Sequence, residues 1–344
     1  MKVIKTTEAE GMTLCHDITQ IIKGVVKDAV FRKGHVITKE DIPVLLSVGK
    51  DHIYVWEEDE NLLHENDGAE ILCSMCKGKN IERSDVKEGK INFFAACDGV
   101  LKINRKAMKA VNSFGQLMIS SKFGDIPVKK GDAIAATRII PLVIEKEKMD
   151  RIQQQVKEIT CGEPIFEIKE FKPKKVAIIA TGNEVFYGRI KDTFTPVIIE
   201  KISRFGAEVF DTMILGDDDK ALTESILKYI DAGADMVLCT GGMSVDPDDK
   251  TPLAIKNTGA EIVCHGSPIL PGAMFLLAYC DRCEDKPAVP VMGLPGGVMF
   301  SKNSVFDLVL PRAMADDRIT SEDIVNLGEG GMLGDGDGYV GARM

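Results

Sequence analysis

The sequence predicts an α/β protein in which a mostly parallel sheet follows an N-terminal α+β region. Apolar runs such as VAIIA at 176–180 and MVLC at 236–239 have the length and β-branched content of buried strands. Helical patterns separate these runs, and each run ends directly at a glycine-containing turn. Strands that alternate with helices pair in parallel through right-handed crossovers, so the turns should collect along one edge of the sheet.

Within this part, elements can be placed in chain order. A helix is predicted to begin at Thr195, where a capping hydroxyl precedes proline and an apolar stripe follows. The run at 208–215 predicts the second strand, and Asp219 is expected to cap the next helix. Further strands are expected near 261–265 and 290–292.

The length of 344 residues predicts more than one domain. A charged, proline-containing stretch at 166–175 indicates a connector. Residues 1–165 have short β-like runs, frequent glycine and two predicted helices, which indicates an α+β, β-rich region with a small barrel or sandwich. Residues 172–317 form the predicted α/β domain. Residues 318–344 form a Gly-rich C-terminal tail, expected to be surface loop with a short strand.

Composition excludes several classes of protein. The net charge is −10 and the basic residues are scattered, which argues against a nucleic-acid partner. No stretch approaches the ~20 apolar residues that span a bilayer, so no membrane association is expected. The N-terminus becomes polar before a signal-like apolar run develops, and we therefore expect a cytoplasmic protein.

Nine cysteines include two pairs with C-x-x-C spacing, Cys73 with Cys76 and Cys280 with Cys283. Together the pairs could supply a four-cysteine zinc site, although their separation is far from that of compact zinc ribbons. The alternative is that free thiols pack as small apolar groups. The sequence favours packing and leaves metal or redox function open.

Three glycine-containing turns follow predicted strands and carry the strongest functional signal. Glycine lets a backbone approach a phosphate closely, and hydroxyls and backbone N–H groups can then bind it. The alternative for each turn alone is a tight connection without a ligand. The candidate ligand-binding residues in these turns are Thr181, Gly182, Thr240, Gly241, Gly242, Ser244, Leu294, Pro295, Gly296 and Gly297.

Acidic residues lie beside these turns. Carboxylates next to a phosphate site usually bind a hard divalent cation, most often Mg²⁺. Glu184, Asp217 and Asp249 are among these acidic residues, and Asp249, beside the serine-containing loop, is the better candidate for a metal ligand or an acid–base group. For Asp217 and its two neighbours the alternative is helix capping.

Six segments occur in an order that resembles a known family: VAIIATGNEV, GRIKD, LGDDD, DMVLCTGGMSVDPDD, ILPG and GLPGG. They resemble the molybdopterin-binding domain shared by molybdopterin adenylyltransferases, molybdopterin molybdotransferases and competence-damage-inducible proteins. The resemblance extends over 172–317. Upstream, LCHDI, FRKGHVITKEDIPVLLSVGKDHIYV and VKKGDAIAATRIIPL resemble the molybdotransferase arrangement more loosely.

The resemblance implies a three-layer α/β/α domain with a mostly parallel sheet that binds molybdopterin, or its adenylylated form, at the TGG and LPG loops. It adds Pro271 and Gly272 of the ILPG segment to the candidate ligand-binding residues. Glu184, Asp217 and Asp249 fall where molybdotransferases keep acidic residues that act with Mg²⁺ and molybdate. The resemblance therefore implies that these three are the candidate catalytic residues and that Glu184 and Asp249 are the candidate metal ligands. The implied cofactors are thus molybdopterin, as ligand or substrate, and Mg²⁺.

Departures from the family pattern leave the activity open. The transferases place lysines around their PG turn, whereas this chain has Leu270-Pro271-Gly272-Ala273-Met274, and Val298 follows Gly297 where the family has Asn-Pro. Cofactor biosynthesis with molybdenum insertion is one hypothesis. A non-catalytic cofactor carrier or sensor that serves a molybdenum enzyme is the second, and a pyrophosphatase acting on ADP-ribose-type nucleotides is the third. A homodimer is expected by analogy with the molybdotransferases.

Overall fold

The computed structural model describes residues 2–22, 26–55, 60–247, 249–282 and 287–329. The strands are β1 (Lys2–Lys5), β2 (Ile18–Ile22), β3 (Val26–Phe31), β4 (His52–Val55), β5 (Leu62–His64), β6 (Ile81–Arg83), β7 (Lys90–Ala95), β8 (Gly99–Ile103), β9 (Leu117–Ser121), β10 (Ile126–Val128), β11 (Ala133–Ile139), β12 (Val143–Glu145), β13 (Phe166–Glu170), β14 (Lys175–Thr181), β15 (Glu208–Leu215), β16 (Met236–Thr240), β17 (Glu261–His265), β18 (Leu276–Cys280) and β19 (Val289–Leu294). The helices are α1 (Asp41–Ser47), α2 (Glu65–Cys76), α3 (Arg105–Ser113), α4 (Lys146–Thr160), α5 (Asn183–Phe186), α6 (Phe194–Ser203), α7 (Asp219–Asp231), α8 (Thr251–Asn257), α9 (Gly297–Phe300), α10 (Val305–Met314) and α11 (Ser321–Asn326).

The C-terminal half contains a six-stranded sheet with the order β15-β14-β16-β19-β18-β17. The first four strands pair in parallel, and β18 and β17 are antiparallel additions at one side. Alternate residues of β14 enter separate cores. Ile178 packs with α6 and α10, whereas Ile179 packs with α7 and α8. The predicted three-layer α/β/α domain with a mostly parallel sheet is therefore confirmed.

Helix starts in this domain differ slightly from the prediction. Asp218, not Asp219, caps α7, and its carboxylate accepts hydrogen bonds from the backbone N–H groups of Lys220 and Ala221. The helix predicted to start at Thr195 begins at residue 194, because the Asp192 carboxylate already accepts from the N–H of residues 194 and 195. In both cases an aspartate upstream of the predicted cap takes the orphan N–H groups.

Two further predictions were wrong, and one strand was missed. The stretch 166–175 is not all connector, since β13 occupies its first half and buries Phe166 and Ile168 while charged residues alternate with them. Strand β18 was missed, although all five of its residues are buried. The start of the C-terminal tail forms helix α11, closed by a capping box between Thr320 and Asp323, rather than loop and strand. Residues 330–344 lie outside the described residues.

The N-terminal region is β-rich and contains two separate hydrophobic cores within its described residues. Residues 2–55 enclose a small cluster that includes Leu14 and Leu45. A larger cluster between residues 69 and 168 lies between the sheets β6-β7-β11-β9 and β10-β8-β13. The two predicted helices correspond to α1 and α2, but α3 and α4 were not predicted. Both are highly charged and bury only narrow apolar stripes, so their helical pattern is weak in the sequence.

Ion pairs join the two halves of the chain. The Asp317 carboxylate, which is 6% exposed, lies 2.7 Å from Lys102 Nζ of β8 and 2.8 Å from Lys169 Nζ of β13. It also pairs with Arg312 Nε of α10 at 2.5 Å. Burial opposes ionisation of Asp317, but Arg312 and the lysines outweigh it and lower its pKa to about 2. The α/β domain is thereby fixed to the preceding β-rich region.

Among the described residues, no helix combines the length and apolar character needed to cross a membrane.

Candidate functional site

The first two glycine-containing turns are joined by buried hydroxyl groups. The Thr181 hydroxyl donates to the carbonyl of Thr240 at 3.1 Å and lies 3.2 Å from the hydroxyl of Thr251. The Thr251 hydroxyl donates to the carbonyl of Gly241 at 2.8 Å. The ends of the parallel strands β14 and β16 are thus held together at one edge of the sheet.

Gly241 and Gly242 occupy positions that other residues would not tolerate. Both have positive φ angles, +82° and +56°. A Cβ atom at Gly241 would lie 2.1 Å from the carbonyl oxygen of Thr181, far inside any real contact distance. The loop therefore needs glycine in order to close onto the end of β14.

The third turn contacts the ILPG turn. A Cβ atom at Gly297 would lie 2.8 Å from Cβ of Pro271, and one at Gly272 would collide with Val305 at the start of α10. Gly296 differs, because it is exposed, has an ordinary φ of −53° and has open space around its missing Cβ. We call residues 181–184, 240–247, 270–272 and 294–297 the strand-end site.

The predicted ligand-binding residues divide by exposure. Residues that are buried shape the loops from within: Thr181, Gly182, Thr240, Gly272, Leu294 and Pro295. Residues that are half-buried or exposed present backbone or side-chain groups at the surface: Gly241, Gly242, Ser244, Pro271, Gly296 and Gly297. We infer that the first set positions the loops and the second set is available to a ligand.

The three acidic candidates lie at the rim of the strand-end site. The Glu184 carboxylate folds back toward Gly182, and a Cβ atom there would lie 2.7 Å from Glu184 Oε1. Asp217 accepts a hydrogen bond from the N–H of Asn183 at 3.1 Å, which links the turn after β15 to the turn after β14. Asp249 accepts from the N–H of Asp246 at 3.3 Å. Asp217 and Asp249 therefore each use one carboxylate oxygen to hold a loop.

These acidic residues do not form a ready cation site. Within the described ranges, no group of three or more His, Cys, Asp or Glu side chains is arranged to hold a metal ion. That Glu184 and Asp249 bind Mg²⁺ therefore stays a prediction.

Exposed apolar side chains surround the strand-end site. Phe186 and Tyr187 follow the first loop with 50% and 64% of their surface exposed, and their rings pack edge to face with centroids 5.3 Å apart. Val245 is 86% exposed in the second loop, and Phe300 is 82% exposed after the third. Single exposed apolar side chains are common, but several of them on one set of loops mark a candidate contact surface for a ligand or a partner.

The C-x-x-C pairs show no site among the described residues. Cys73 and Cys76 are free thiols on α2 and pack in the larger N-terminal core. Burial raises the pKa of both thiols, which makes the reactive thiolate less accessible. Cys280 is buried and free in β18, and Cys283 lies outside the described residues.

Sequence reasoning missed Thr251 and the aromatic rim. Thr251 precedes Pro252 at the first turn of α8, and that pattern signals a helix start rather than a buried hydroxyl beneath a loop. Phe186, Tyr187 and Phe300 lie just downstream of the glycine turns, but their exposure could be found only from the folded chain.

Two segments of the chain match family models. Residues 177–315 match one described as "Probable molybdopterin binding domain", and residues 3–57 match one described as a domain of unknown function. The second match coincides with the small N-terminal core, whereas the first contains the strands and loops of the strand-end site.

Curated proteins and solved structures also show similarity to this chain. A molybdopterin molybdenumtransferase of Synechococcus elongatus is 28% identical over 148 residues, which are 41% of this chain and 36% of that protein. A competence-damage inducible protein of Bacillus thuringiensis is 34% identical over 93 residues, which are 27% of this chain and 22% of that protein. The matches thus span about a third or less of the length of these relatives. The molybdopterin biosynthesis enzyme MoaB of Thermus thermophilus is a similar solved structure, with 18% identity, coverage of 40% of this chain and 91% of that chain, and a TM-score of 0.32.

The ordered glycine turns, the α/β/α architecture and the matched family model agree with one another. The family that residues 177–315 of this chain match is therefore that of probable molybdopterin-binding domains.

Proposed function

We propose that the strand-end site binds molybdopterin or adenylylated molybdopterin, and that the protein acts in molybdenum cofactor biosynthesis. The observation that carries this proposal is the junction of Thr181, Gly241 and Thr251, which holds two glycine-containing turns together at the ends of neighbouring parallel strands. Turns of this kind suit a phosphate, because glycine lets the backbone approach an anion and backbone N–H groups can bind it.

The rim of the site suits the remainder of such a ligand. A pterin is a flat heterocycle, and the exposed rings of Phe186, Tyr187 and Phe300 offer flat apolar faces beside the loops. A site with glycine-containing turns and exposed aromatic rings beside them therefore suits a molecule with a phosphate at one end and a planar ring at the other.

Catalysis is the narrower part of the proposal. Molybdenum insertion with Mg²⁺ would need the free carboxylate oxygens of Glu184, Asp217 and Asp249 to converge when the ligand binds. The PG turn at Pro271 and Gly272 has apolar neighbours in Leu270 and Met274 instead of lysines. Binding is consequently the better supported function, and a molybdenum enzyme that receives the cofactor, as well as a homodimer, remain proposals.

The test is a calorimetric titration of the full chain with molybdopterin and with its adenylylated form. Gly296→Ala and Gly296→Val provide a graded obstruction, because the glycine has an ordinary φ and open space, so both variants should fold. We expect wild-type binding, an intermediate affinity for Gly296→Ala and at least a tenfold loss for Gly296→Val. Equal affinity for all three proteins would contradict a ligand at the strand-end site.

Product analysis in the same titration separates the competing functions. Release of AMP from the adenylylated ligand that requires both Mg²⁺ and molybdate would establish the transferase. Tight binding without release would support a carrier or sensor. The pyrophosphatase hypothesis rests on the similarity to a competence-damage inducible protein and predicts Mg²⁺-dependent cleavage of ADP-ribose with no affinity for molybdopterin.

A further inference from the structure

A small cavity lies at the edge of the six-stranded sheet opposite the strand-end site, where the parallel strands β14, β16 and β19 begin. Its volume is about 190 Å³, and its described lining consists of residues 172–174, 235, 282, 287–288 and 316. These residues belong to the connector before β14, to the chain just before β16 and β19, and to the chain just after β18 and α10. We call this the connector cavity.

Arg282 is the unusual member of this lining. Its side chain is only 13% exposed, and its Nε and Nη2 atoms are buried and have no hydrogen-bond partner among the described residues. In the same part of the chain, its one hydrogen bond runs from Nη1 to the Asp235 carboxylate at 3.4 Å, which is long for a charged pair. A guanidinium carries five N–H donors, so the described protein leaves most of them unused.

The two unpartnered nitrogens lie on one edge of the guanidinium. Their N–H bonds on that edge point in nearly the same direction, so the edge matches a group that presents two oxygen atoms side by side. Burial of charged donors without an acceptor is costly, and such groups in folded proteins call for a specific explanation. The free edge of Arg282 therefore indicates recognition of a carboxylate or phosphate group.

The carboxylates of the connector cavity are already engaged. Asp316 pairs with both lysines of the lining, with Lys172 at 2.8 Å and with Lys174. One oxygen of Asp235 accepts the first backbone N–H of β14 at 3.0 Å, and the other faces Nη1 of Arg282. Among the described lining residues, three cations face two carboxylates, which leaves one positive charge in excess. The cavity therefore favours an anion over a cation.

A ligand in the cavity reaches the free edge only after the guanidinium rotates, because Nε and Nη2 have almost no accessible surface. The long contact with Asp235 restrains Arg282 weakly, and an arginine side chain can turn about its own torsions without a backbone shift. Lys172 is the most exposed charged side chain of the lining, at 60%, and leaves that part of the wall open to solvent.

We propose that the connector cavity binds a small oxyanion, a carboxylate or phosphate group that accepts two parallel hydrogen bonds from Nε and Nη2 of Arg282. The bound anion supplies the acceptors that the described protein lacks, and it balances the excess positive charge of the lining. The proposal is independent of the strand-end site, because the cavity lies at the other end of the parallel strands and shares no residue with it.

The experiment titrates the full chain calorimetrically with sodium phosphate and, separately, with sodium propionate. Sodium chloride holds the ionic strength constant, because chloride is a single acceptor and does not match two parallel donors. We expect at least one oxyanion to bind and to raise the thermal unfolding midpoint as its concentration increases. Binding of propionate alone identifies a carboxylate site, and Arg282-dependent binding of phosphate alone identifies a phosphate site.

Arg282→Lys keeps the positive charge but removes the parallel donors, and it should weaken binding of the active oxyanion at least about tenfold. Arg204→Lys, an exposed change on α6, is the matched control and should leave the affinity within twofold of wild type. Phosphate bound at the strand-end site would not respond to either change. Circular dichroism and thermal unfolding check that both variants fold.

Glu284 and Asp285 follow Arg282 closely in the sequence and lie outside the described residues. The double variant Glu284→Gln/Asp285→Asn is therefore included, and it should bind the oxyanion with an affinity within about threefold of wild type. Binding that appears only in this double variant would show that one of these carboxylates is the acceptor for Arg282 and would overturn the proposal. Failure of both oxyanions to bind wild type, or equal affinity of wild type and Arg282→Lys, would overturn it as well.

Discussion

The strand-end site differs in construction from a charged cavity lined by residues 16–17, 32–33, 64–66 and 85–88, which we call the N-terminal cavity. The strand-end site consists of backbone turns closed by glycine and buried hydroxyls, and its residues are contiguous in short motifs. The N-terminal cavity consists of charged side chains, and its walls come from segments near residues 17, 32, 65 and 87. A sequence motif can therefore identify a site that is built from backbone turns. A site that is built from side chains of distant segments can be recognised only in the folded chain.

The largest expected effect concerns the backbone side of this comparison. Gly241→Ala should lower the free energy of unfolding by roughly 3 kcal/mol or more, because the new Cβ meets the Thr181 carbonyl at 2.1 Å in addition to the strain of positive φ. Gly206→Ala is the matched control, with a φ of +76° and open space around it, and should cost only about 1–2 kcal/mol. Urea unfolding measures both. Equal losses would show that the loop is not closely packed.

The junction between the two halves gives the next largest effect. Asp317→Asn should cost about 2–3 kcal/mol near neutral pH, because it removes the partner of Arg312, Lys102 and Lys169. The pKa of Asp317 is lowered in the folded protein, so its contribution is present above pH 4 and is lost as the pH falls toward 2.

Unfolding experiments between pH 2 and pH 7 check this sign. The difference between wild type and Asp317→Asn should shrink as the pH falls. Asp316→Asn removes a more exposed carboxylate that pairs with Lys172 and Lys174, and it should have the smaller effect. A difference that stays constant over this pH range would contradict the ion-pair account.

Hydroxyl groups beneath the strand-end loops should have a moderate effect. Thr251→Val removes the donor to the Gly241 carbonyl and the contact with Thr181, which should cost about 1–2 kcal/mol and weaken molybdopterin binding severalfold. Thr258→Val, just past the end of the same helix, removes a bond to the Ile255 carbonyl, away from the loops, and should leave binding unchanged. Loss of binding in both variants would indicate a general effect on α8.

The smallest expected effect concerns Glu65 in the N-terminal cavity, where a substitution should increase the free energy of unfolding instead of lowering it. The pKa of Glu65 is raised in the folded protein, so its stabilising contribution is lost as the pH rises through that pKa. Glu65→Gln should therefore raise the free energy of unfolding at pH 8 by an amount on the order of 1 kcal/mol and change it less at low pH. A destabilised variant at pH 8 would show that the carboxylate has a partner.

Much of the α/β domain could be predicted from sequence because its signals are local. Strand β15 at 208–215 and strand β17 at 261–265 have the expected bounds, since apolar runs and flanking turns define them. Strand β18 is a continuous apolar run like β14 and β16, but it is followed by Asp281 and Arg282 instead of a glycine-containing turn, and the C-x-x-C spacing at its end suggested another interpretation. The two helix caps were misplaced because an aspartate lies just upstream of each predicted cap: Asp192 precedes Thr195, and Asp218 precedes Asp219.

The candidate sites were predictable to different extents for the same reason. The glycines of the strand-end site, such as Gly241, could be identified from the sequence because only glycine suits a turn with positive φ and a close backbone contact. The burial of Glu65 depends on the packing of Gly89 and on the N-terminal segment that covers α2, and neither is visible in the sequence around it. Exposure of Phe300 likewise depends on where the chain turns after α9.

The most direct test of the central claim is molybdopterin titration of the full chain. The wild-type protein should bind molybdopterin in a one-to-one complex. Gly296→Val should weaken the affinity at least tenfold without changing the thermal unfolding midpoint, because the glycine has an ordinary φ and open space around it. Undiminished binding in the variant, or no binding in the wild type, would contradict a molybdopterin site at the strand ends.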